Sequence, residues 1–253
     1  MIKLPPIFEY VVPRPLVDGK ISQFVPSEEY SEFWEAFYAT LSAKSTFQFP
    51  LPGHERDINP LFGFFGPRYH PVVHKSDYFH AGIDITAPAK TPVLSVMPGV
   101  LEYAGFGIIN GNYILISHPE IVTEDGFVFH SMYMHLRDMH VRFSSYQKML
   151  REISLHTYPH LSIALDTKIG TVGSTGNTAG RHTHLHLQCE FRDKKGRSIL
   201  IDPCALFGSV SETNRSAFVQ NREDFQALLV RERNIIEKYK LGSYWEESDS
   251  VLE

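Results

Sequence analysis

The sequence has few cysteines, no long apolar run and no visible export signal. Two cysteines in 253 residues are too few for a disulfide framework, so they leave the redox compartment open. Every apolar run falls well short of the roughly 18 residues that a membrane-spanning helix needs. Residues 1–10 contain no basic segment followed by a long apolar stretch, so no signal peptide is visible. Either the protein is not exported through that route, or the chain begins after a cleavage site.

An excess of positive charge is also missing. The formal net charge is −5 and there is no long basic run, which argues against nucleic acid as the main partner. Residues 173–180 are rich in glycine, but no Lys-Ser or Lys-Thr pair follows them, so they are not a phosphate-binding loop. With 43% apolar and 21% charged residues, the composition is that of an ordinary globular protein that can bury a core.

Residues 183–191, which read T-H-L-H-L-Q-C-E-F, have the alternating pattern of a half-buried strand. The apolar side chains of this strand should face a core, which makes Cys189 a buried thiol. His184 and His186 should then project side by side from the other face. Two imidazoles so close together suit one metal site, in which one is a ligand and the other reaches a bound water or substrate.

The best partners for these histidines lie in residues 80–84, which read H-A-G-I-D. Gly82 argues against a helix here, so His80 and Asp84 should approach a metal from a strand end and a loop. Zinc hydrolases need three protein ligands and an open position for water. His80 and Asp84, together with His186 or His184, would supply the three. On spacing alone, two unrelated surface or core clusters explain the pattern equally well.

The rest of the chain is predicted to alternate between short strands, turns and a few helices. Apolar periodicity predicts helices at about 28–42, 144–156 and 221–241, whereas residues 1–26 read as extended, irregular chain. The Asp125–Gly126 pair is a hairpin signal. Further strands are predicted at 93–96, 100–104, 112–117, 127–135, 167–172 and 198–201.

Nine short stretches, in chain order, resemble the lysostaphin/LytM-type zinc metalloendopeptidases, which cleave peptide cross-links in bacterial peptidoglycan. The combination covers a little over half of the chain and is specific, although no single stretch would be. The stretches are F-G-P-R (65–68), H-A-G-I-D-I-T-A-P (80–88), T-P-V (91–93), P-G-V-L-E-Y-A-G (98–105), G-N-Y-I-L-I-S-H (111–118), M-Y-M-H-L (132–136), I-G-T-V-G-S-T-G (169–176), T-H-L-H-L-Q (183–188) and I-D-P (201–203).

This resemblance implies that His80, Asp84 and His186 bind one zinc ion and that His135 and His184 are catalytic. It also implies hydrolysis of an amide by metal-activated water. One histidine would orient or deprotonate the water, and a protonated imidazole would stabilise the oxyanion. The sequence does not say which histidine has which part.

Departures from the family pattern leave alternatives open. The run before the His-x-His pair is longer than usual, so a register that uses His182 and His184 competes with one that uses His184 and His186. The residues after His186 continue the usual pattern and favour the second register. The segment 137–165 is also longer than usual, and its predicted helix either walls a substrate groove or is a surface embellishment.

Three further polar residues are candidates for hydrogen bonds in or near the predicted site. Arg68 and Asn112 are candidates for hydrogen bonds to substrate near the groove. His118 ends a predicted strand, and we expect it to make a structural hydrogen bond rather than to take part in catalysis.

The implied fold is mainly β, an antiparallel two-sheet LytM-type (duplicated hybrid motif-like) domain with a groove over one sheet and flanking N- and C-terminal helices. We expect an N-terminal helical or irregular arm at 1–60 and a metallopeptidase domain at 61–208, with an insertion at about 137–165. A C-terminal helix and tail should follow at 209–253.

The expected function is zinc-dependent hydrolysis of peptide cross-links in peptidoglycan, in the periplasm or outside the cell. One rival is a non-catalytic module that binds cell-wall peptide or activates another hydrolase. Another is a peptidase of the same fold that acts on a protein substrate. A phosphocarrier of a related fold is more distant, because His80 and Asp84 would have no purpose there. The complete set of five site residues favours the endopeptidase.

Overall fold

The computed structural model describes residues 1–15, 21–60, 63–70, 75–141, 161–178, 182–207 and 222–241. Within these ranges the chain forms strands and two α-helices, α1 (Ser31–Lys44) and α2 (Arg222–Tyr239). The strands are β1 (Ile2–Leu4), β2 (Val11–Pro15), β3 (Ile21–Pro26), β4 (Gly66–His70), β5 (Lys75–His80), β6 (Ile83–Thr86), β7 (Pro92–Leu94), β8 (Gly99–Gly107), β9 (Gly111–Thr123), β10 (Val128–Leu136), β11 (Asp138–Met139), β12 (Ser162–Ile163), β13 (Lys168–Thr171), β14 (His184–Arg192) and β15 (Ser198–Ile201).

Most strands belong to one large sheet with the order β12-β8-β9-β10-β14-β15-β3-β2, to which β1 adds beside β9 and β6 beside β14. The pairs β1–β9 and β3–β15 are parallel, and the other pairs of this sheet are antiparallel. A three-stranded sheet (β11-β13-β7) and the hairpin β4–β5 complete the described strands. The predicted mainly antiparallel β fold with flanking helices is therefore confirmed.

The strand predicted at residues 183–191 is present as β14, which lies near the middle of the large sheet. It pairs with β10 on one side and with β6 and β15 on the other. One face of β14 is fully buried in the main hydrophobic core, and its side chains are Leu185, Leu187, Cys189 and Phe191. The apolar half of the prediction is thus confirmed.

The polar face of β14 is buried too, so the prediction of a half-buried strand was wrong. Glu190 is only 1% exposed. Its carboxylate accepts hydrogen bonds from Gln188, Arg192 and Ser198. A buried carboxylate is tolerated when charged and polar donors surround it in this way. Alternation of apolar and polar residues therefore described the two faces of the strand but not their exposure.

Residues 1–26 contain strands where irregular chain was predicted. Residues 2–4 pair in parallel with β9, and the β2–β3 hairpin extends the large sheet beyond β15. The prolines of β2 suggested irregular chain, but β2 is an edge strand, where a missing N–H is harmless. Asp125 secures this segment, because its carboxylate accepts the backbone N–H groups of Ile7 (2.9 Å) and Phe8 (2.8 Å).

The predicted helices that fall in described residues are present. A short 3₁₀ turn, Glu28–Tyr30, leads into α1, and α2 occupies most of the predicted 221–241. The aromatic stripe of α1 is a packing face, since the rings of Phe37 and Phe191 lie 5.5 Å apart. The helix predicted at 144–156 lies outside the described residues. Neither α1 nor the described residues of α2 are long and apolar enough to cross a membrane.

Asp57 connects α2 to the edge of the large sheet. Its carboxylate is 3% exposed and accepts hydrogen bonds from His54 (3.1 Å), Lys238 (3.1 Å) and the Tyr239 hydroxyl. Its backbone carbonyl accepts the N–H of Thr86 in β6 (2.9 Å). Burial alone would raise the pKa of Asp57, but the three donors outweigh burial and lower it.

We expect Asp57→Ala to lower the free energy of unfolding by about 2 kcal/mol at pH 7, because charged and polar donors lose their shared acceptor. The pKa of Asp57 is lower in the folded state, so the stabilisation is complete above the unfolded pKa of about 4 and declines as pH falls below it. Urea denaturation at pH 7 and pH 3 measures the effect. Glu237→Gln, an exposed change on the same helix, is the control. Equal stabilities at pH 7 would contradict this role.

Candidate active site

Strand pairing brings the three predicted metal ligands together. His80 ends β5, and in the β6–β14 pair Asp84 lies directly opposite His186. One ligand atom from each residue lies within 4.8 Å of the others. Asp84 Oδ1 is 2.8 Å from His186 Nδ1 and 3.2 Å from His80 Nε2, and the two nitrogens are 3.1 Å apart. His182, which the alternative register would use, precedes β14, whereas His186 lies opposite Asp84.

This group of atoms has the chemistry and dimensions of a metal site. Ligand atoms about 2.1 Å from a tetrahedral ion lie roughly 3.4 Å apart, slightly more than the observed separations of 2.8 to 3.2 Å. All three side chains are buried, with 5% of His80, 3% of Asp84 and 8% of His186 exposed. His80 Nδ1 donates to the carbonyl of Phe64 (2.9 Å), which places the lone pair of the ring on Nε2, facing the other ligands. The residues present therefore fit a bound metal ion.

The electrostatics of Asp84 also favour a cation. Burial by itself would raise the pKa of Asp84, but the imidazoles of His80 and His184 and a hydrogen bond from His186 hold it well below its usual range. A buried carboxylate that stays ionised needs positive charge beside it. A metal ion bound between Asp84 and the two histidines would supply that charge.

Gly82 is needed for close packing at this site. A Cβ at this position would lie 2.2 Å from the carbonyl oxygen of Leu187 and 2.8 Å from His186 Nε2. Any side chain here would push the His186 ring or the backbone of β14 away from Asp84. From the sequence, Gly82 argued only against a helix. The close contact with His186 is a further reason why this position requires glycine.

His135 and His184 lie beside the three predicted metal ligands. The centroid of the His135 ring is 5.0 Å from that of His184 and 6.0 Å from that of His186. Each ring donates its Nδ1–H to a backbone carbonyl, that of Thr175 for His135 (2.8 Å) and that of His182 for His184 (2.7 Å). A carbonyl can only accept, so each Nε2 carries the lone pair.

The electrostatic surroundings keep His135 neutral. Burial is the largest cause, and the neighbouring His184 and His186 act in the same direction, so that the pKa of His135 falls to about 4. A neutral imidazole with its lone pair on Nε2 can accept a proton at neutral pH. The two rings therefore form a pair of potential proton acceptors next to the metal ligands.

Residues 78–199 match the model of Peptidase family M23. We call this matched segment, which is just under half of the chain, the M23 domain. It falls within the predicted metallopeptidase domain at 61–208, whose limits stay a prediction.

Named relatives of the chain include peptidases from several bacteria. The DD-carboxypeptidase/endopeptidase Mpg of Neisseria meningitidis is 29% identical over 171 residues, which are 68% of this chain and 33% of that protein. The peptidoglycan DD-endopeptidase ShyC of Vibrio cholerae is 26% identical over 178 residues, which are 68% of this chain and 36% of that protein. This chain thus spans about a third of the length of these relatives. A solved zinc-containing peptidase from Vibrio cholerae is 24% identical and covers 65% of this chain and 40% of its own, with a TM-score of 0.46.

The two residues predicted to bind substrate have different surroundings. Asn112 lies in β9, and its side-chain amide donates to the backbone carbonyls of Leu136 (3.0 Å) and Arg137 (3.2 Å). A role in substrate binding for Asn112 therefore stays a prediction, with both contacts made to the chain itself. Arg68 lies in β4, and its side chain is outside the described part of the structure.

His118 makes the structural hydrogen bonds that were expected. It is fully buried, its Nδ1 donates to the carbonyl of Pro98 (2.9 Å), and its Nε2 accepts from the Ser131 hydroxyl (2.8 Å). Burial lowers the pKa of His118 to about 4, so the ring is neutral at pH 7. The contribution of Thr175 to the site was missed, because a threonine in a glycine-rich loop carries no chemical signal of its own.

We expect chelator-treated protein to bind one equivalent of zinc and Asp84→Asn to weaken that binding at least 100-fold, since loss of an outer-shell partner alone can cost about that much. Gly82→Ala should also weaken binding, because the new Cβ displaces His186. Gly107→Ala is the matched control, since its Cβ would meet no heavy atom closer than 3.5 Å. Calorimetric titration measures all four proteins. Unchanged affinity in Asp84→Asn would disprove the assignment of this ligand.

Proposed function

We propose that this M23 domain is a zinc-dependent endopeptidase that hydrolyses peptide bonds of bacterial peptidoglycan. The observation that carries the proposal is the grouping of His80, Asp84 and His186 with His135 and His184 beside them. Two imidazoles and one carboxylate are the ligand set of several zinc hydrolases. The match to the model of Peptidase family M23 supports the reaction, and relatives named as peptidoglycan DD-endopeptidase and DD-carboxypeptidase/endopeptidase support the substrate.

Zinc would suit this ligand set better than magnesium or calcium, because both of those ions prefer oxygen ligands and higher coordination. When bound, the ion would lower the pKa of a water molecule and polarise the scissile carbonyl. His80 would bind through Nε2 and His186 through Nδ1, the atoms that face Asp84. The carboxylate of Asp84 would complete the set of three ligands.

The two remaining histidines would handle protons. The Nε2 lone pair of His135 or His184 accepts a proton as the attacking water loses it, and the resulting imidazolium stabilises the negative charge that grows on the carbonyl oxygen. Burial makes the protonated ring of His135 unfavourable, as its low pKa shows. That ring would therefore release the proton readily to the departing amine. The hydrogen bonds from Nδ1 keep both rings in the tautomer that this sequence of transfers requires.

The substrate determines where the protein would act. Peptidoglycan peptides lie in the periplasm or outside the cell, and we place the enzyme there. The relatives also include the cell division protein DipM of Caulobacter vibrioides, 30% identical over 148 residues, which are 58% of this chain and 19% of that protein. The bond that is cut would be identified from the products.

Digestion of purified sacculi, with products identified by mass spectrometry, tests the proposal. We expect zinc-loaded wild-type protein to create new peptide ends, and His184→Ala to do so about 10²- to 10⁴-fold more slowly, the usual contribution of a general acid or base. A chelated sample should be inactive. His140→Ala, which removes an exposed histidine a few residues after His135 in the sequence, should keep wild-type activity.

Two results would contradict this function. A His184→Ala protein that cleaves sacculi as fast as the wild type would show that the site is not the active site. Zinc-loaded wild-type protein that sediments with sacculi without creating peptide ends would support a non-catalytic cell-wall-binding module instead.

A further inference from the structure

We propose that Thr175 and Asn112 are positioning residues that hold His135 in its working orientation. The proposal rests on the catalytic role of His135 proposed above. Neither side chain contacts a metal ligand in the hydrogen bonds that the structure describes for them; both contact the backbone just after His135.

His135 has an unusual backbone, with a φ of 61° in the left-handed region. A side chain with a Cβ is unfavourable there, so neighbouring contacts must hold it. The register between β10 and β9 also shifts between Tyr133 and Leu136, which marks a bulge. The strained residue and the bulge therefore coincide at the end of β10.

The bulge decides which way His135 points. Tyr133 is fully buried in the main core, and Met134 belongs to a separate cluster on the other face. In a regular strand, residue 135 would return to the face of Tyr133 and enter the core. Instead Leu136 occupies the core, and His135 lies beside His184. The irregular backbone is thus what directs the imidazole into the site.

Thr175 makes three hydrogen bonds around this irregular segment through its hydroxyl and its backbone carbonyl. Its hydroxyl donates to the carbonyl of Leu136 (2.8 Å) and accepts the N–H of Asn112 (2.9 Å). Its backbone carbonyl accepts from Nδ1 of His135 (2.8 Å). The same residue therefore holds both the backbone after the bulge and the ring of His135.

Asn112 supports the same segment from β9. Its amide donates to the carbonyls of Leu136 and Arg137, so the Leu136 carbonyl accepts from both Asn112 and Thr175. The backbone N–H of His135 is bonded to the carbonyl of Asn110 (2.9 Å). Donors and acceptors from two separate loops thus secure the bulge on both sides.

Two glycines let these loops approach closely enough. A Cβ at Gly111 would lie 2.2 Å from the carbonyl oxygen of Thr175, and one at Gly176 would lie 2.2 Å from the nitrogen of Gly111. Both have positive φ values, +63° and +80°. The N–H of Asn177 also bonds to the carbonyl of Ile109 (3.0 Å). The close approach of the two loops therefore fixes the position of the Thr175 carbonyl. That carbonyl in turn orients the His135 ring.

Thr175→Val tests the role of the hydroxyl at nearly constant side-chain volume, and Thr175→Ser restores it. We expect Thr175→Val to lower kcat by about 10- to 100-fold, because misplacing a catalytic group by around 1 Å has such an effect. KM should stay within about twofold, since the interaction lost acts in the transition state. Asn112→Ala should act in the same direction. Zinc content should not change in any of these variants.

The substrate is a purified cross-linked peptidoglycan fragment, and Thr178→Val is the matched control. Thr178 lies in the same loop and is bonded to Ser174 (3.3 Å), so its variant should keep wild-type kcat. Thr175→Ser should recover most of the lost kcat, which a general loss of folding would not do. Wild-type kcat in both Thr175→Val and Asn112→Ala would overturn the proposal.

A second measurement does not depend on activity. The ¹⁵N signals of the histidine rings report which nitrogen carries the proton, and His135→Gln identifies those of His135 by their absence. In zinc-loaded wild-type protein, His135 should be protonated on Nδ1, and in Thr175→Val its signals should shift or broaden. Unchanged His135 signals in Thr175→Val would overturn the positioning role. A wild-type protein that shows this tautomer but cleaves no peptidoglycan would contradict the proposed function alone.

Discussion

The site depends on the pairing of two strands, β6 and β14. β6 is four residues long and entirely buried, and it places Asp84 opposite His186. On its other side, the N–H of Asn59 bonds to the Asp84 carbonyl (2.9 Å), and the N–H of Asp84 bonds to the Gly63 carbonyl (2.8 Å). Because the backbone of Asp84 is held from both sides, its carboxylate stays in place among the surrounding imidazoles.

The M23 domain combines regular and irregular backbone at this site. The proposed ligands Asp84 and His186 lie on regular strands, where pairing fixes their positions. His135 reaches the site only through a bulge and a left-handed backbone, which loops from two other parts of the chain must stabilise. Irregular conformations of this kind are often found at functional sites. We therefore expect the proposed metal ligands and the proposed proton-transfer group, His135, to tolerate sequence change differently.

The sequence predicted much of this architecture, and the failures have physical causes. The alternation in 183–191 correctly predicted β14, and the aromatic spacing predicted α1, because in both patterns the apolar side chains share one face that packs into the core. Regular alternation along β10 would place His135 on the core face. The bulge that changes this direction could not be predicted, because residue types alone do not indicate it. Only the family resemblance placed His135 in the site. The strands in 1–26 were missed because their pairing partners, in β9 and β15, are distant in the sequence and their prolines suggest loops.

The parallel pairing of β3 with β15 has a consequence for how the domain is made. Gln23 lies opposite Ser198. A strand near the beginning of the described chain therefore pairs only after a segment near the end of the M23 domain has been made. Contacts between such distant residues carry a large loop-closure entropy and slow folding. During synthesis on a ribosome, β3 would have no pairing partner on the β15 side until β15 had emerged. This edge of the sheet would then be among the last parts of the protein to form, and until then the most open to pairing with other chains.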